Sequence, residues 1–344
     1  MTTLVTGATG FLGSHVARLL VERGERVRVL VRSASAGRVA EVLPASGVER
    51  AVGDLRDLPS LERAMQGVDT VYHVAADYRL WARRPDDIYD SNVTGTRNVL
   101  DAARRARVAK IVYTSTVGTV AVPRGDSLPD EYSRTSVDEM IGHYKRSKWL
   151  AEQEALHAAA DRLPLVVVNP TTPVGPGDAK PTPTGRIVVD FLNGRMPAYV
   201  DAGLNFLPVE DAAAGHLLAA ERGQIGERYI LGGENLTLKQ VLAVLARVSG
   251  RKAPRVRVPH IVALGASYMD TAISRLLGRE PQIPLEGVRM ARHSMFVSAE
   301  RARRELGFAP GPVAAALERA VRWYEANGYV GGSRAAGIAE VRAA

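Results

Sequence analysis

Thr3-Leu4-Val5-Thr6-Gly7-Ala8-Thr9-Gly10-Phe11-Leu12-Gly13 decides how the rest of this chain reads. A short apolar run leads straight into three glycines and then into residues with helical spacing. At such a junction Gly7 permits a tight strand-to-helix turn, Gly10 lets backbone approach a pyrophosphate, and Gly13 lets the helix pack close to the sheet. The helix N-terminus adds unpaired N–H groups and a positive dipole end. A glycine pattern alone is weak, because a structural turn has the same composition. Placed first in a strand–helix–strand unit it points to dinucleotide binding.

Outward from that stretch the first half alternates strands and helices. Apolar runs predict strands at Thr3–Thr6, Arg26–Val31, Val48–Val52, Thr70–Val74, Lys110–Ser115 and Leu165–Asn169, and helical periods predict Phe11–Arg23, Leu58–Gln66, Asp87–Ala106 and Asp138–Ala160. Strands apolar on both faces, each followed by a helix, indicate a parallel sheet covered on both sides. The expected fold is α/β, a Rossmann-type doubly wound parallel sheet with a smaller C-terminal α/β substrate lobe. Residues 1–170 form the dinucleotide-binding core, about 205–232 return to it, 171–330 build mainly the lobe, and 331–344 make a flexible tail. Loop residues crowd 170–185. Later helices are predicted from the N-cap Thr237 to Val248, from Ser298 to Gly307 and over Pro312–Asn327. Pro259–Leu277 is amphipathic and reads as a packed lobe helix, with peripheral membrane contact as the alternative.

The chain has 344 residues, 46% hydrophobic and 24% charged, which allows a buried core and excludes global disorder. With no cysteine there is no disulfide, thiolate nucleophile or zinc–thiolate site. The seven histidines show no ligand spacing, so no metal is expected. A net charge of +8 suits a phosphorylated small molecule or an anionic surface, and with only 6% aromatics no basic–aromatic run suggests nucleic acid. No signal peptide or spanning segment is visible, so a cytoplasmic location is expected.

Where NAD-specific sites place an acid for the ribose diol, after the second strand, the chain reads Val31-Arg32-Ser33. Arg32 offers a charged partner for a 2′-phosphate, worth roughly 1.5–3 kcal/mol. NADP(H) is therefore expected, with NAD(H) as the alternative; a solvated surface arginine is the plain reading. Asp54, after the third strand, either meets the adenine amino group or caps the next turn.

Tyr144 and Lys148 lie four residues apart on one helix face. A phenol titrates near 10, and lowering it by ~3 units requires about 4 kcal/mol of differential stabilisation, which an adjacent ammonium helps to supply. A buried aromatic beside a snorkelling lysine has the same spacing. Thr114-Ser115-Thr116 ends the fifth strand, at the sheet edge where ligands sit in open α/β folds, and its hydroxyls can hold a substrate oxygen beside Tyr144.

Taken together, Thr6–Gly13, His73–Ala76, Asn92–Thr96, Thr114–Thr116, Tyr144/Lys148, Asn169–Gly177, Leu207–Asp211 and Leu306–Pro310 resemble the extended short-chain dehydrogenase/reductase superfamily over almost the whole chain to about residue 328. Within it, Ala75–Trp81, Asn169–Gly185 and Ile230–Leu236 are most similar to bacterial hopanoid-associated sugar epimerases, themselves like dihydroflavonol-4-reductase-like enzymes. The resemblance implies Tyr144 as catalytic acid/base, Lys148 as its pKa-lowering partner and Thr116 as the catalytic hydroxyl, with Ser115 left open as a substitute. It places Ala75 and Ala76 beside the adenosine half and Asn92 in support of the central helix. The cofactor would also meet Thr9, Phe11, Leu12, Leu55, Ser115, Asn169 and Pro170. The substrate would meet Tyr78, Trp81, Thr171, Thr172 and Arg186, where Tyr78 and Trp81 read equally as core aromatics and Arg186, Arg289 and Arg292 equally as a solvated face.

The implied activity is NAD(P)-dependent epimerisation or oxidoreduction at a secondary hydroxyl or ketone of a sugar or polyol, in hopanoid lipid biosynthesis. The alternatives are an NADPH-dependent ketone reductase and, on the same fold, a non-catalytic NADP-sensing regulator. Sugar-nucleotide epimerases that hold NAD tightly usually carry an acid where Arg32 stands. By analogy, the helices Asp87–Ala106 and Asp138–Ala160 would form a homodimer face.

Overall fold

The computed structural model describes residues 1–32, 39, 43, 47–122 and 127–331. The tail expected from 331 therefore lies, from 332 on, outside the described residues. Seven parallel strands form the main sheet: β1 (Thr2–Thr6), β2 (Arg26–Val31), β3 (Val48–Val52), β4 (Thr70–His73), β5 (Lys110–Thr114), β6 (Leu165–Pro170) and β10 (Arg228–Leu231). Their order is β10-β6-β5-β4-β1-β2-β3. It reverses between β1 and β4, the switch point beyond whose C-terminal strand ends ligands bind in open sheets. All residues of β1 and β6 are buried, as uninterrupted Leu/Val runs in the middle of a two-sided sheet require.

One face is covered by α1 (Phe11–Glu22) and, later in the chain, α7 (Val209–Arg222), whose Val16, Leu20 and Leu217 pack on Val5, Val29 and Val168. The other carries α2 (Leu58–Ala64), α4 (Gly95–Ala106) and α5 (Gly142–Ala160), which bury Leu61, Val99 and Ala151 against Leu4, Ile111 and Val167. The helix expected over Asp87–Ala106 is a composite. A turn α3 (Asp86–Tyr89) passes through a π turn at Asp90–Thr94 before α4 begins. The helix expected from Asp138 starts four residues late. A capping box between Ser136 and Glu139 closes a separate 3₁₀ turn, Met140 and Ile141 are extended, and Gly142 takes φ +82° before α5 begins.

The lobe contains a three-stranded sheet, β11 (Glu234–Thr237), β9 (Gly203–Pro208) and β7 (Thr172–Val174), and a pair, β12 (Val256–Val258) with β8 (Ala198–Val200). Its core gathers Phe191 of α6 (Pro183–Leu192), Leu242 of α8 (Leu238–Ser249) and Leu317 of α11 (Val313–Ala326). Thr237 caps α8 in a box with Gln240, and Gly250 ends it in the left-handed region. The expected Ser298–Gly307 helix contains a π turn, Ala302–Leu306. The expected packed lobe helix is α9 (His260–Leu277), followed by α10 (Leu285–Met290). Contrary to that expectation, α9 packs through its polar residues: Ser267 and Ser274 are its buried positions, while Ile261, Met269 and Leu276 face outward.

Candidate active site

Parallel strands place everything that follows them at one edge. The Gly7–Gly13 turn follows β1, Arg32 follows β2, Asp54 and Leu55 follow β3, Ala75 and Ala76 follow β4, and Ser115 and Thr116 follow β5. Asn169 and Pro170 close β6, Thr171 comes next, and Thr172 opens β7. Topology thus gathers the candidates into one crevice.

The first turn fits a dinucleotide phosphate. Gly7 has φ +75°, and a Cβ there would lie 2.7 Å from the backbone of Ala75. At Gly13 a Cβ would come 2.1 Å from the Gly7 carbonyl oxygen. Gly10 is the N-cap of α1, no side chain caps the helix and its first turn holds no acid. Such an N-terminus offers its N–H groups to an anion. Thr9, Phe11 and Leu12 line the same turn, partly exposed. The 175–177 loop crosses α1 opposite, where His15 Nε2 meets the Pro176 carbonyl at 2.9 Å. Arg32 is exposed and close enough to Asp54 to help hold its carboxyl low. The larger cause is Arg56, whose guanidinium bonds both Asp54 oxygens at 3.0 and 2.8 Å and brings the pKa to about 2. Asp54 is thus already paired with a cation.

The loop after β4 is held by Asn92 of the π turn. Its Oδ1 accepts from the Asp77 N–H at 2.7 Å, and its Nδ2 donates to the Asp77 carbonyl and to Ser147 Oγ, each at 2.9 Å. One side chain therefore ties this loop to α5. Tyr78, on that loop, is 37% exposed, and Asp178, Asp77 and Arg186 act electrostatically on its phenol. Trp81 is partly exposed, so neither aromatic belongs to the core. Arg186 lies 3.6 Å from Glu280, both well exposed, and Arg289 donates to Tyr268 OH at 2.7 Å. Arg292 is exposed. His143 is exposed too, with Nδ1 3.3 Å from Tyr89 OH.

Tyr144, the candidate proton-transfer group, sits on α5. The Thr116 hydroxyl lies near enough to the Tyr144 phenol to pull its pKa down, but burial is the larger influence and the net direction is up. Lys148, one turn further along α5, is fully buried. Its Nζ donates to Tyr113 OH at 3.0 Å and to the Thr114 carbonyl at 2.7 Å. Burial lowers the pKa of Lys148 to about 7, against the opposing pull of Glu152. The ammonium is thus held by two neutral oxygens and loses part of its charge near neutral pH.

Ser115 and Thr116 separate cleanly. Ser115 Oγ donates to Glu152, buried beneath the strand end, whereas the Thr116 hydroxyl reaches the phenol. Glu152 Oε2 also accepts from Thr119 Oγ1 at 2.8 Å and Asn169 Nδ2 at 2.9 Å, and its Oε1 from Arg228 at 3.0 Å. The sequence reading missed Glu152 and Tyr113. Glu152 repeats the four-residue spacing of Tyr144 and Lys148, so that signal was available; Arg228 comes from β10 and carried none. Asn169 Oδ1 and Thr171 Oγ1 are buried without a hydrogen-bond partner, leaving two polar atoms at the end of β6 for a bound group.

Among the described residues, no three His, Asp or Glu side chains gather as metal ligands, and no helix is long and apolar enough to cross a membrane.

Residues 3–232 match the NAD dependent epimerase/dehydratase family. The chain is 44% identical over 330 residues, 95% of each chain, to a Synechocystis sp. protein provisionally named dihydroflavonol 4-reductase. It is 37% identical over 335 residues to sterol demethylase protein B of Methylococcus capsulatus, covering 96% of this chain and all of that one. The crystal structure of gox2253 superposes with a TM-score of 0.84 at 45% identity, covering 96% of this chain and 99% of the other.

Proposed function

The chain belongs to the NAD dependent epimerase/dehydratase family, and on that premise we propose that it is an NADP(H)-dependent oxidoreductase that interconverts a ketone and a secondary alcohol on a polycyclic lipid or a sugar or polyol joined to one. The observation that carries this reading is the contact between the Thr116 hydroxyl and the Tyr144 phenol at the sheet edge that also presents the uncapped α1 N-terminus.

When bound, a nicotinamide dinucleotide supplies the hydride for carbonyl reduction. The turn at Gly7–Gly13 and the α1 N-terminus would hold its pyrophosphate, and Arg32 would meet a 2′-phosphate. A phenol raised above its usual value is protonated at neutral pH, so Tyr144 begins as the acid: its Oη gives a proton to the carbonyl oxygen while the Thr116 hydroxyl holds that oxygen in place. Lys148, anchored on Tyr113 and Thr114, stands where it can grip the nicotinamide ribose. Asn169 Oδ1 and Thr171 Oγ1 supply open polar contacts. Tyr78 and Arg186 flank the approach, and a ring laid on Tyr78 would gain aromatic contact.

The printed names of the two relatives, a 4-reductase and a protein of sterol demethylation, support reduction and a polycyclic substrate. Arg32 in place of an acid favours net reduction over epimerisation. By analogy the exposed faces of α4 and α5 pair two copies.

Tyr144→Phe tests the assignment. NADPH affinity should be retained while turnover of a ketone falls about 10²–10⁴-fold; unchanged turnover removes Tyr144 from the chemistry. A reductase consumes one NADPH per product formed. Full conversion to a stereoisomer at constant NADPH absorbance would show epimerisation instead.

A further inference from the structure

Helix α9 is amphipathic in the wrong sense for a packed helix. At 100° per residue, Ile261, Val262, Met269, Ile273, Leu276 and Leu277 fall on one half of its circumference. That half faces outward: Ile261 is 72%, Met269 67% and Leu276 87% exposed. The opposite half is turned inward, with the small polar Ser267 and Ser274 fully buried and Ala263 and Leu264 half-buried beside them. Ser267 Oγ donates to the Ile283 carbonyl at 2.9 Å, and Asp270 accepts from the Ile283 N–H at 2.8 Å and from Arg279 at 3.0 Å. His260 Nε2 meets the Val288 carbonyl at 2.8 Å. These bonds fix the helix with its apolar side out, along an axis of about 27 Å.

Charge identifies what covers it. Residues 251–293 contain eight Lys/Arg (Arg251, Lys252, Arg255, Arg257, Arg275, Arg279, Arg289, Arg292) and three Asp/Glu (Asp270, Glu280, Glu286). This segment alone thus carries +5 of the chain's net +8. A second copy docked face to face would set one basic segment against another, whereas an anionic bilayer attracts that charge and accepts the apolar side chains.

We propose that the outward face of α9 seats this protein on an anionic membrane surface, lying in the interface rather than crossing it. The seat is tied to the candidate site. Arg83, on the loop after β4, donates to the Gly278 carbonyl at the end of α9, and Glu286 of α10 accepts from the His143 N–H at 3.2 Å, one residue before Tyr144. Delivery of a lipid-borne ketone from the bilayer to Tyr144 rests on the redox reading above; the docking does not.

The test is co-sedimentation of the full chain with vesicles of phosphatidylcholine, with and without phosphatidylglycerol. The expected result is pelleting with the anionic vesicles that weakens with salt. Met269→Glu/Leu276→Glu should reduce partitioning at least about a hundredfold. Arg255→Gln/Arg275→Gln/Arg292→Gln should cost about fivefold per charge. NADPH titration of each variant reports an intact core independently of any activity, and the charge variant leaves the apolar face unaltered should the glutamates impair folding. Absence of pelleting with both vesicle types overturns the proposal. So does a wild-type dimer that becomes monomeric in Met269→Glu/Leu276→Glu without any vesicle binding, because the face would then be a self-association surface.

Discussion

Glu152→Gln should be among the most informative single substitutions in the core of this protein, because Glu152 holds Ser115 and Asn169, two expected cofactor contacts, from beneath. Its side chain is 1% exposed, with Oε2 accepting from Ser115, Thr119 and Asn169 and Oε1 from Arg228. A glutamine has the same shape but only one carbonyl. Turned toward the cluster, it points an N–H₂ at the Arg228 guanidinium; turned toward Arg228, it points that group at the Asn169 amide. Removing one member of a buried ion pair typically costs about 3–5 kcal/mol. Arg228 retains 22% side-chain exposure and can recover some hydration, so the low end, about 3 kcal/mol, is expected.

Urea unfolding measures the loss directly. Glu152→Gln/Arg228→Gln should be less destabilised than the sum of the single variants, since the stranded charge is gone. Glu152 also raises the pKa of Lys148 against its burial. If a charged Lys148 is needed for turnover, the basic limb of the pH–rate profile moves to lower pH in the variant. A stability change below about 1 kcal/mol, or strict additivity with Arg228→Gln, would refute the argument that this carboxylate organises the strand end.

Two further expectations concern cofactor choice and acid sensitivity. Arg32→Ala should weaken NADPH binding about 10- to 100-fold and leave NADH nearly unaffected, as the loss of one charge-assisted contact requires; equal losses for both cofactors in a fluorescence titration would remove the 2′-phosphate role. His216 is fully buried, with Nε2 3.0 Å from Thr114 Oγ1 and Nδ1 2.7 Å from the Ala212 carbonyl, and burial depresses its pKa from 6.5 to about 4. Below 6.5 the unfolded chain takes up a proton there and the folded chain does not until about 4, so stability falls with pH across that window. His73, depressed to about 3, acts in the same sense, while the raised carboxyls of Glu131, Asp178 and Glu286 act oppositely. His216→Asn should therefore remove up to about 1.4 kcal/mol per pH unit of slope between pH 5 and 6, read by urea unfolding at several pH values. An unchanged slope would mean that His216 is charged in the fold.

Much of the architecture was legible because burial on both faces of a parallel sheet demands uninterrupted apolar runs, which stand out in Leu4–Val5, Ile111–Val112 and Leu165–Val168. The late start of α5 was not. The capping box at Ser136 closes a short 3₁₀ turn, and the helix waits for Gly142, where a Cβ would collide with the Glu286 carboxylate from a segment about 140 residues away. The direction of α9 was equally hidden. Periodicity finds an amphipathic helix but cannot tell which half faces the protein.

Local spacing by itself determined the glycine turn, the strand–helix alternation that follows it, and the Tyr144/Lys148 pair, because each depends on neighbours within one turn or one strand–helix unit. Only the tertiary structure decided which hydroxyl is bound to Glu152 and where the Lys148 ammonium is held. Ser115 is taken up by Glu152 on α5, which also meets Asn169 on β6 and Arg228 on β10, and the Lys148 ammonium by Tyr113 and Thr114 on β5. Hydrogen bonds between distant segments depend on how strands are ordered in space, and a linear pattern carries no record of that.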